Sequence, residues 1–357
     1  MKKANMLFAA IGALTVGPLG LNGFGAEGAS AKTYMIVDLE SNSTCRVSYR
    51  ATVPEGGWSD EFKTTKLVLR LIPEGKFKMS GRPKILDVEH PYFQEPIDPY
   101  YNEPFFSREV REVALTHPYY IGVFEVTQRQ YELVTGKNPA CWVDGKHPVN
   151  CVSWLDVRGK NSTAPDPSGG TSRVDRESFL GRLRKMSGVD GFDLPTEAQW
   201  ECACKGGVNE DIAETRLGPG PSVLHVARCM ENGSEEWPSN HIVAVVGSYA
   251  PNPYGLFDMH GNVFEWCLDR RARYDEIDRI DPINFGEGAS PKVKRVLRGG
   301  SCRSEGHCCG SSFRWAAAAG AQINEYGFRV VCRVPEDEGS ELIDTVKCRG
   351  ESKSGQL

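Results

Sequence analysis

The chain has 357 residues, a formal net charge of -5 and 40% hydrophobic residues, with seven Trp, fifteen Phe and twelve Tyr. That aromatic load excludes a disordered chain. The acidic balance leaves no basic stripe to neutralise phosphates, which argues against nucleic acid and anionic membrane surfaces as partners. In chain order, Lys2 and Lys3 form a positive n-region ahead of an apolar run over 6–21 that Gly12, Gly17 and Pro18 interrupt. The run falls short of the ~20 apolar residues of a spanning helix, and Ala29-Ser30-Ala31 is a small-x-small cleavage site. Residues 1–31 therefore read as a signal peptide, and the protein as secreted or periplasmic with no membrane span. Twelve cysteines in an exported chain meet oxidising surroundings, where neighbouring thiols become disulfides. Cys141 and Cys151, on either side of a short Gly/Pro-containing loop, are the most plausible local pair; the other connectivities stay open.

Residues 32–66 form a strand-rich N-terminal extension, with strand signals over 33–50. A strand over 66–72 continues through Pro73-Glu74-Gly75 into Phe77-Lys78-Met79. Pro83, Pro91, Pro96, Pro99 and Pro104 place no regular element over 83–105. Strands follow over 110–115 and 119–126, after which Thr127 and Gln130 make a capping box for a helix with Tyr131 and Val134 on its apolar face. The Gly, Ser, Pro and Asp of 158–174 read as a surface insertion between two halves of one element, with the helix resuming at Phe179 and ending near Gly188. Thr196 caps a short helix that carries Trp200. From 205 onward the pattern is short strands and glycine-rich turns, and 335–357 is a polar tail.

Six motifs stand in one order: Tyr119-Tyr120-Ile121-Gly122-Val123-Phe124-Glu125-Val126-Thr127; His147-Pro148-Val149 with Val152-Ser153-Trp154-x-Asp156; Leu194-Pro195-Thr196-Glu197-Ala198-Gln199-Trp200-Glu201; Tyr254-Gly255-Leu256-Phe257-Asp258-Met259-x-Gly261-Asn262-Val263-x-Glu265-Trp266; Arg298-Gly299-Gly300-Ser301; and Gly327-Phe328-Arg329. In these the chain resembles the formylglycine-generating enzyme, or sulfatase-modifying factor, family over 67–334. The resemblance implies an α+β fold, the variant of the C-type lectin-like fold found in that family, loop-rich with little regular secondary structure. Trp154, Trp200 and Trp266 each follow turn or cap residues and read as core packing more than ligand contact.

Asp258 and Glu265 stand at the ends of a glycine-containing turn, a pattern of hard oxygen ligands that suits Ca²⁺; the alternative is that both carboxylates merely cap the turn. The resemblance implies the same cation, held by the side chains of Asp258 and Glu265 and the carbonyls of Gly261 and Val263. It also implies a second calcium site near 226–245, which Arg228 and Glu231-Asn232-Gly233 do not match. Active members bind Cu(I) through two cysteines, five positions apart, after Gly-Gly-Ser. Counted from Ser301, those positions are Ser304 and Cys309, so one soft ligand is replaced by a hydroxyl. Phe264 stands where the family usually carries a pocket Trp, and Cys204 occupies a position where it carries a disulfide cysteine, with Cys309 as one partner. Two functions follow: a non-catalytic binding or scaffold module for an extracellular or periplasmic protein, peptide or glycan, or a copper-dependent oxidase with a rearranged pair drawn from Cys302, Cys308 and Cys309. Of seven histidines none sits in a nucleophile-elbow pattern, and only His147 and His260 read as groove residues.

Overall fold

A computed structural model describes residues 32–40, 46–79, 97–98, 103–104, 110–164, 172–207, 226–232, 243–273, 277–286 and 290–334. The expectations for the signal peptide, the polar tail, His90, His225 and His241, and most of the loops over 83–105 and 205–240, lie outside the described residues. The strands are β1 (Tyr34–Asp38), β2 (Arg46–Arg50), β3 (Lys66–Ile72), β4 (Gly75–Met79), β5 (Ile97–Asp98), β6 (Glu103–Pro104), β7 (Arg111–Leu115), β8 (Tyr119–Gly122), β9 (Phe192–Asp193), β10 (Phe264–Arg270), β11 (Lys294–Arg298), β12 (Trp315–Ala318), β13 (Tyr326–Gly327) and β14 (Val331–Arg333). The α-helices are α1 (Gln128–Thr135), α2 (Trp154–Arg158), α3 (Phe179–Ser187) and α4 (Glu197–Lys205).

The largest sheet among the described residues runs β2-β1-β3-β8-β14-β9, with every neighbour antiparallel. Its inner strands are apolar almost throughout because both faces are covered. Met35, Val37, Leu67 and Leu69 enter one core cluster, whereas Tyr34, Ile36 and Val68 enter the other. That division is the period-2 geometry of a strand with no solvent face. The N-terminal extension thus supplies β1 and the edge strand β2 to the same sheet as β3. A second sheet, β12-β11-β10-β13, carries the glycine-rich turns of the site, and β4 pairs with β7 apart from both.

The helices begin where side-chain chemistry says they should. Thr127 and Gln130 form the expected capping box on α1, which Gly136 ends in the left-handed region, and Thr196 and Gln199 form another on α4. Three stretches differ from the sequence reading. Within 83–105, where the prolines predict no regular element, the two-residue strands β5 and β6 pair antiparallel, Ile97 with Pro104 and Asp98 with Glu103, since Pro104 ends the ladder at its edge. The strand over 119–126 stops at Gly122, because the chain bends there and residues 123–126 bond in turn to Val68, Val149 and Phe328. Residues 154–187 are two helices, not one interrupted element. α2 has its own capping box, Ser153 with Asp156, and α3 starts at the separate N-cap Ser178. Gly159, at φ 90°, ends α2, and a Cβ there would come within 1.9 Å of the Asp175 side chain, so the returning chain packs on the break. Trp154, Trp200 and Trp266 are fully buried, as expected of core residues.

Candidate functional site

The site is built where β10 begins and β11 ends, beside α4. The turn before β10 needs unusual backbone: Asp258, Gly261 and Asn262 have φ of 55°, 76° and 63°. Asp and Asn tolerate the left-handed region better than other side chains. Gly261 is required on steric grounds too, since a Cβ would lie 2.1 Å from the Arg228 carbonyl oxygen. The turn after β11 docks on it, with Gly261 N–H donating to the Gly299 carbonyl at 2.7 Å and Cys302 N–H to the Asn262 carbonyl at 2.9 Å.

Under these turns lies a cluster of buried charge. Glu265 accepts from Arg329 Nε and Nη2, both at 2.6 Å, and from Trp200 Nε1 at 2.7 Å. Asp258 Oδ2 accepts from Gly247 N–H at 2.6 Å, and Glu125 accepts from Asn262 Nδ2 at 2.6 Å and Val263 N–H at 3.2 Å. Arg329 also donates to the carbonyls of Gly122 and Phe257. Burial, reinforced by the charge of Glu265, pushes Asp258 up to about 6 against the pull of Gly247 N–H and Arg329. Glu125 is driven well above the ordinary carboxylate range by burial and then by the charges of Asp258 and Glu265. Three buried carboxyls thus lie around the Arg329 guanidinium. The sequence reading omitted Glu125 and Arg329 as site residues. Their signal was a single carboxylate inside the apolar run 119–126 and a single guanidinium after Gly327-Phe328.

The Gly-Gly-Ser turn is equally constrained. Gly299 and Gly300 have φ of 90° and 74°, and a Cβ on Gly300 would come within 2.7 Å of Cys309 Sγ. Ser301 is fully buried and its Oγ donates to Glu325 Oε2 at 2.6 Å. Ser304 Oγ accepts from Ser301 N–H at 3.0 Å and lies 3.1 Å from Ser301 Oγ. Cys309 is buried in the 3-10 turn Gly306–Cys309, with Sγ 4.0 Å from the Ser301 carbonyl oxygen. Cys302 is buried, and burial followed by the charge of Glu325 pushes its thiol up to about 12. Phe264, in the pocket-Trp position, packs among Phe313, Trp315 and Tyr326.

The remaining expected residues are placed as follows. The ten described cysteines stand as thiols. Cys141 and Cys151 are brought together, Sγ to Sγ, at 2.9 Å. Cys204 Sγ lies 3.9 Å from His260 Nε2, and His260 Nδ1 is 2.8 Å from the Cys309 carbonyl oxygen, so the imidazole joins α4 to the copper-position turn. Accepting by that carbonyl fixes the proton on Nδ1. His147 is buried, with Nδ1 3.4 Å from Asp144 Oδ2. Around the second calcium position Asn232 is used locally, accepting from Cys229 N–H at 2.9 Å and donating to the Ala227 carbonyl at 2.7 Å.

Comparison with known proteins places this geometry. The model of the sulfatase-modifying factor enzyme 1-like domain matches residues 59–334. The chain is 40% identical over 144 residues to the serine/threonine-protein kinase pkn1 of Chlamydia pneumoniae, covering 39% of this chain and 20% of that one. To the formylglycine-generating enzyme of Streptomyces coelicolor it is 37% identical over 170 residues, covering 42% and 49%. It thus spans about a fifth and about half of the length of these relatives. PvdO from Pseudomonas aeruginosa superposes with a TM-score of 0.53 at 21% identity, over 75% of this chain and 94% of that one, which shows a shared fold. The α+β, loop-rich architecture expected from the motifs is the one found.

Proposed function

The chain belongs to the family of sulfatase-modifying factor enzyme 1-like domains, and we propose that this member is an exported binding or scaffold module, not a copper oxidase. One observation carries the reading. At the first copper position Ser304 offers a hydroxyl already engaged in its own turn, through Ser301 N–H at 3.0 Å and Ser301 Oγ at 3.1 Å. Cu(I) selects soft thiolates, and a hydroxyl that stays protonated near neutral pH is a hard, weak donor. Cys309 alone cannot make a two-thiolate unit. The alternative oxidase would recruit Cys302, but its thiol is held protonated by burial and its N–H is fixed on the Asn262 carbonyl. The partner on this reading is an extracellular or periplasmic protein, peptide or glycan, met by the loops over 83–105, 158–174 and 205–240.

Calcium is the structural cation of this proposal. Asp258 and Glu265 would hold it with the carbonyls of Gly261 and Val263, and it would supply positive charge to a cluster that is short of it. What supports this is the burial of Glu125, Asp258 and Glu265 around Arg329, with Asp258 raised to about 6. The donors would be hard oxygen atoms, as Ca²⁺ requires, with Glu265 reaching the cation from a carboxylate that also pairs with Arg329. The functional reading is tested by titrating the reduced protein with Cu(I) against a chelating dye and by incubating it with a Cys-x-Pro-x-Arg peptide. The expected result is no stoichiometric copper and no aldehyde. One Cu(I) per chain together with aldehyde formation would restore the oxidase.

A further inference from the structure

Cys141 and Cys151 stand out among the described cysteines because their sulfurs meet and one of the two is exposed. Among the described cysteines only Cys141 is exposed; Cys151 is half-buried, as are Cys202 and Cys308, and the rest are buried. The Sγ atoms of Cys141 and Cys151 touch at 2.9 Å, and a bond would need them to close to roughly 2.05 Å, a shift of about one ångström.

What Cys151 is attached to gives the pair a consequence. It has a φ of 55°, unusual for a side-chain-bearing residue, and its N–H donates to the Ile323 carbonyl at 3.1 Å. Next to it, Asn150 Nδ2 donates to the Asn324 carbonyl at 2.9 Å. The Val149 carbonyl oxygen sits so close to Gly327 that a Cβ there would meet it at 2.6 Å. Residues 149–151 are therefore laced along 323–327. That segment holds Glu325, whose carbonyl accepts from Phe264 N–H at 2.7 Å and whose Oε2 accepts from Ser301 Oγ at 2.6 Å.

We propose that Cys141 and Cys151 are a reversible redox site, oxidised by a low-molecular-weight or protein disulfide, and that closing their bond fastens the strap that sets Glu325 against Ser301. The inference stands on thiol geometry and does not depend on whether copper binds. Burial, then the hydrogen bond and charge of Cys141, push the Cys151 thiol up to about 12, so exposed Cys141 is the sulfur that attacks. Its thiolate forms a mixed disulfide and expels one thiolate of the oxidant. Cys151 then gives its proton to solvent and displaces the second. Two protein thiols and one disulfide become one internal disulfide and two small or partner thiols, with two electrons passed to the oxidant.

The test uses the full chain, equilibrated with oxidised glutathione or with dithiothreitol, then alkylated, peptide-mapped and followed by hydrogen exchange. The expected result is a peptide linking Cys141 to Cys151, an unfolding midpoint raised by about 5 °C, and at least tenfold slower exchange at Cys151 N–H and across 323–327. Cys141→Ser should lose all three effects while leaving the reduced protein folded. Cys141 recovered as a persistent mixed disulfide, or bonded to any cysteine other than Cys151, would overturn the site. A linked peptide with unchanged exchange over 323–327 would overturn its coupling to Glu325.

Discussion

Two buried ionic networks lie on either side of the Gly299-Gly300 turn, and they differ in how their charges add up. On the α4 side, Arg314 grips Glu197 through Nε and Nη2, Arg298 bonds Glu201 and lies 3.4 Å from Glu197, and Lys205 reaches Glu201 at 2.8 Å. Glu197 and Glu201 face two guanidinium groups and an ammonium, and a third buried carboxyl, Asp269, accepts from Glu197 N–H at 2.7 Å. On the β10 side, Glu125, Asp258 and Glu265 share Arg329. Burial is nearly the same, 0–3% exposed for all the carboxylates. The titration is opposite: burial alone would raise Glu197, but Arg314 and Arg298 overcome it and hold the group at about 2, whereas Asp258 rises to about 6. Burial pushes up Asp258 and, on the α4 side, Asp269, each to about 6, whereas in Glu197 the paired Arg314 and Arg298 outweigh it. The balanced network reads as scaffolding, and the carboxylate-rich one is where the proposed cation would sit.

The largest effect should come from breaking the balanced side. Arg298→Met leaves Glu201 without its guanidinium in the interior and should cost about 3–5 kcal/mol in denaturant unfolding. Added calcium should not restore it; a loss below about 1 kcal/mol would mean the network is not charge-balanced. Next is Glu197→Gln. The folded value of Glu197 lies below its ordinary 4.5, so its stabilisation is complete above pH 4.5 and fades as pH falls through about 2. The variant should lose about 3 kcal/mol at pH 7 and almost nothing at pH 2, which paired unfolding curves at the two pH values would reveal. The carboxylate-rich side should respond to metal instead. Calcium at a hundred times its dissociation constant should stabilise the parent by about 2.7 kcal/mol. Asp258→Ala should abolish that gain and Glu197→Gln should keep it; equal gains in both would remove the cation from this cluster.

The contrast also marks what a reader of the sequence can see. Capping boxes at Thr127/Gln130 and Thr196/Gln199 are legible because donor and acceptor are three residues apart and their chemistry is local. The two-faced burial of β1 and β3 is legible as apolar runs. Neither ionic network is, because its partners are far apart in the chain: 97 residues separate Arg298 from Glu201 and 137 separate Asn262 from Glu125. The start of α2 was available in principle, since Ser153 and Asp156 carry the same three-residue spacing as the other boxes. It was missed because Gly159 and the polar stretch after it look like an interruption, whereas the Gly159–Asp175 contact that separates the two helices is tertiary. The replaced copper ligand shows in the sequence as Ser304, but only the fold reveals that its hydroxyl is employed within the turn.

That employment leads to the smallest of the expected effects. Ser304→Ala removes the acceptor for Ser301 N–H and one neighbour of Ser301 Oγ, while Ser301 keeps Glu325. A single half-buried hydrogen bond of this kind is worth about 1 kcal/mol, and the loss should appear in thermal unfolding with no change in calcium response. Ser304→Cys exchanges the same hydroxyl for a sulfur facing the turn that holds Cys309 and should cost a similar amount in the metal-free protein. If the hydroxyl is what excludes copper, this variant should bind Cu(I) at least a hundredfold more tightly than the parent in dye competition, and Ser304→Cys with Cys309→Ser should lose the gain. A Ser304→Cys protein with unchanged copper affinity would place the defect elsewhere, in the buried, hydrogen-bonded setting of Cys309 and not in the identity of its missing partner.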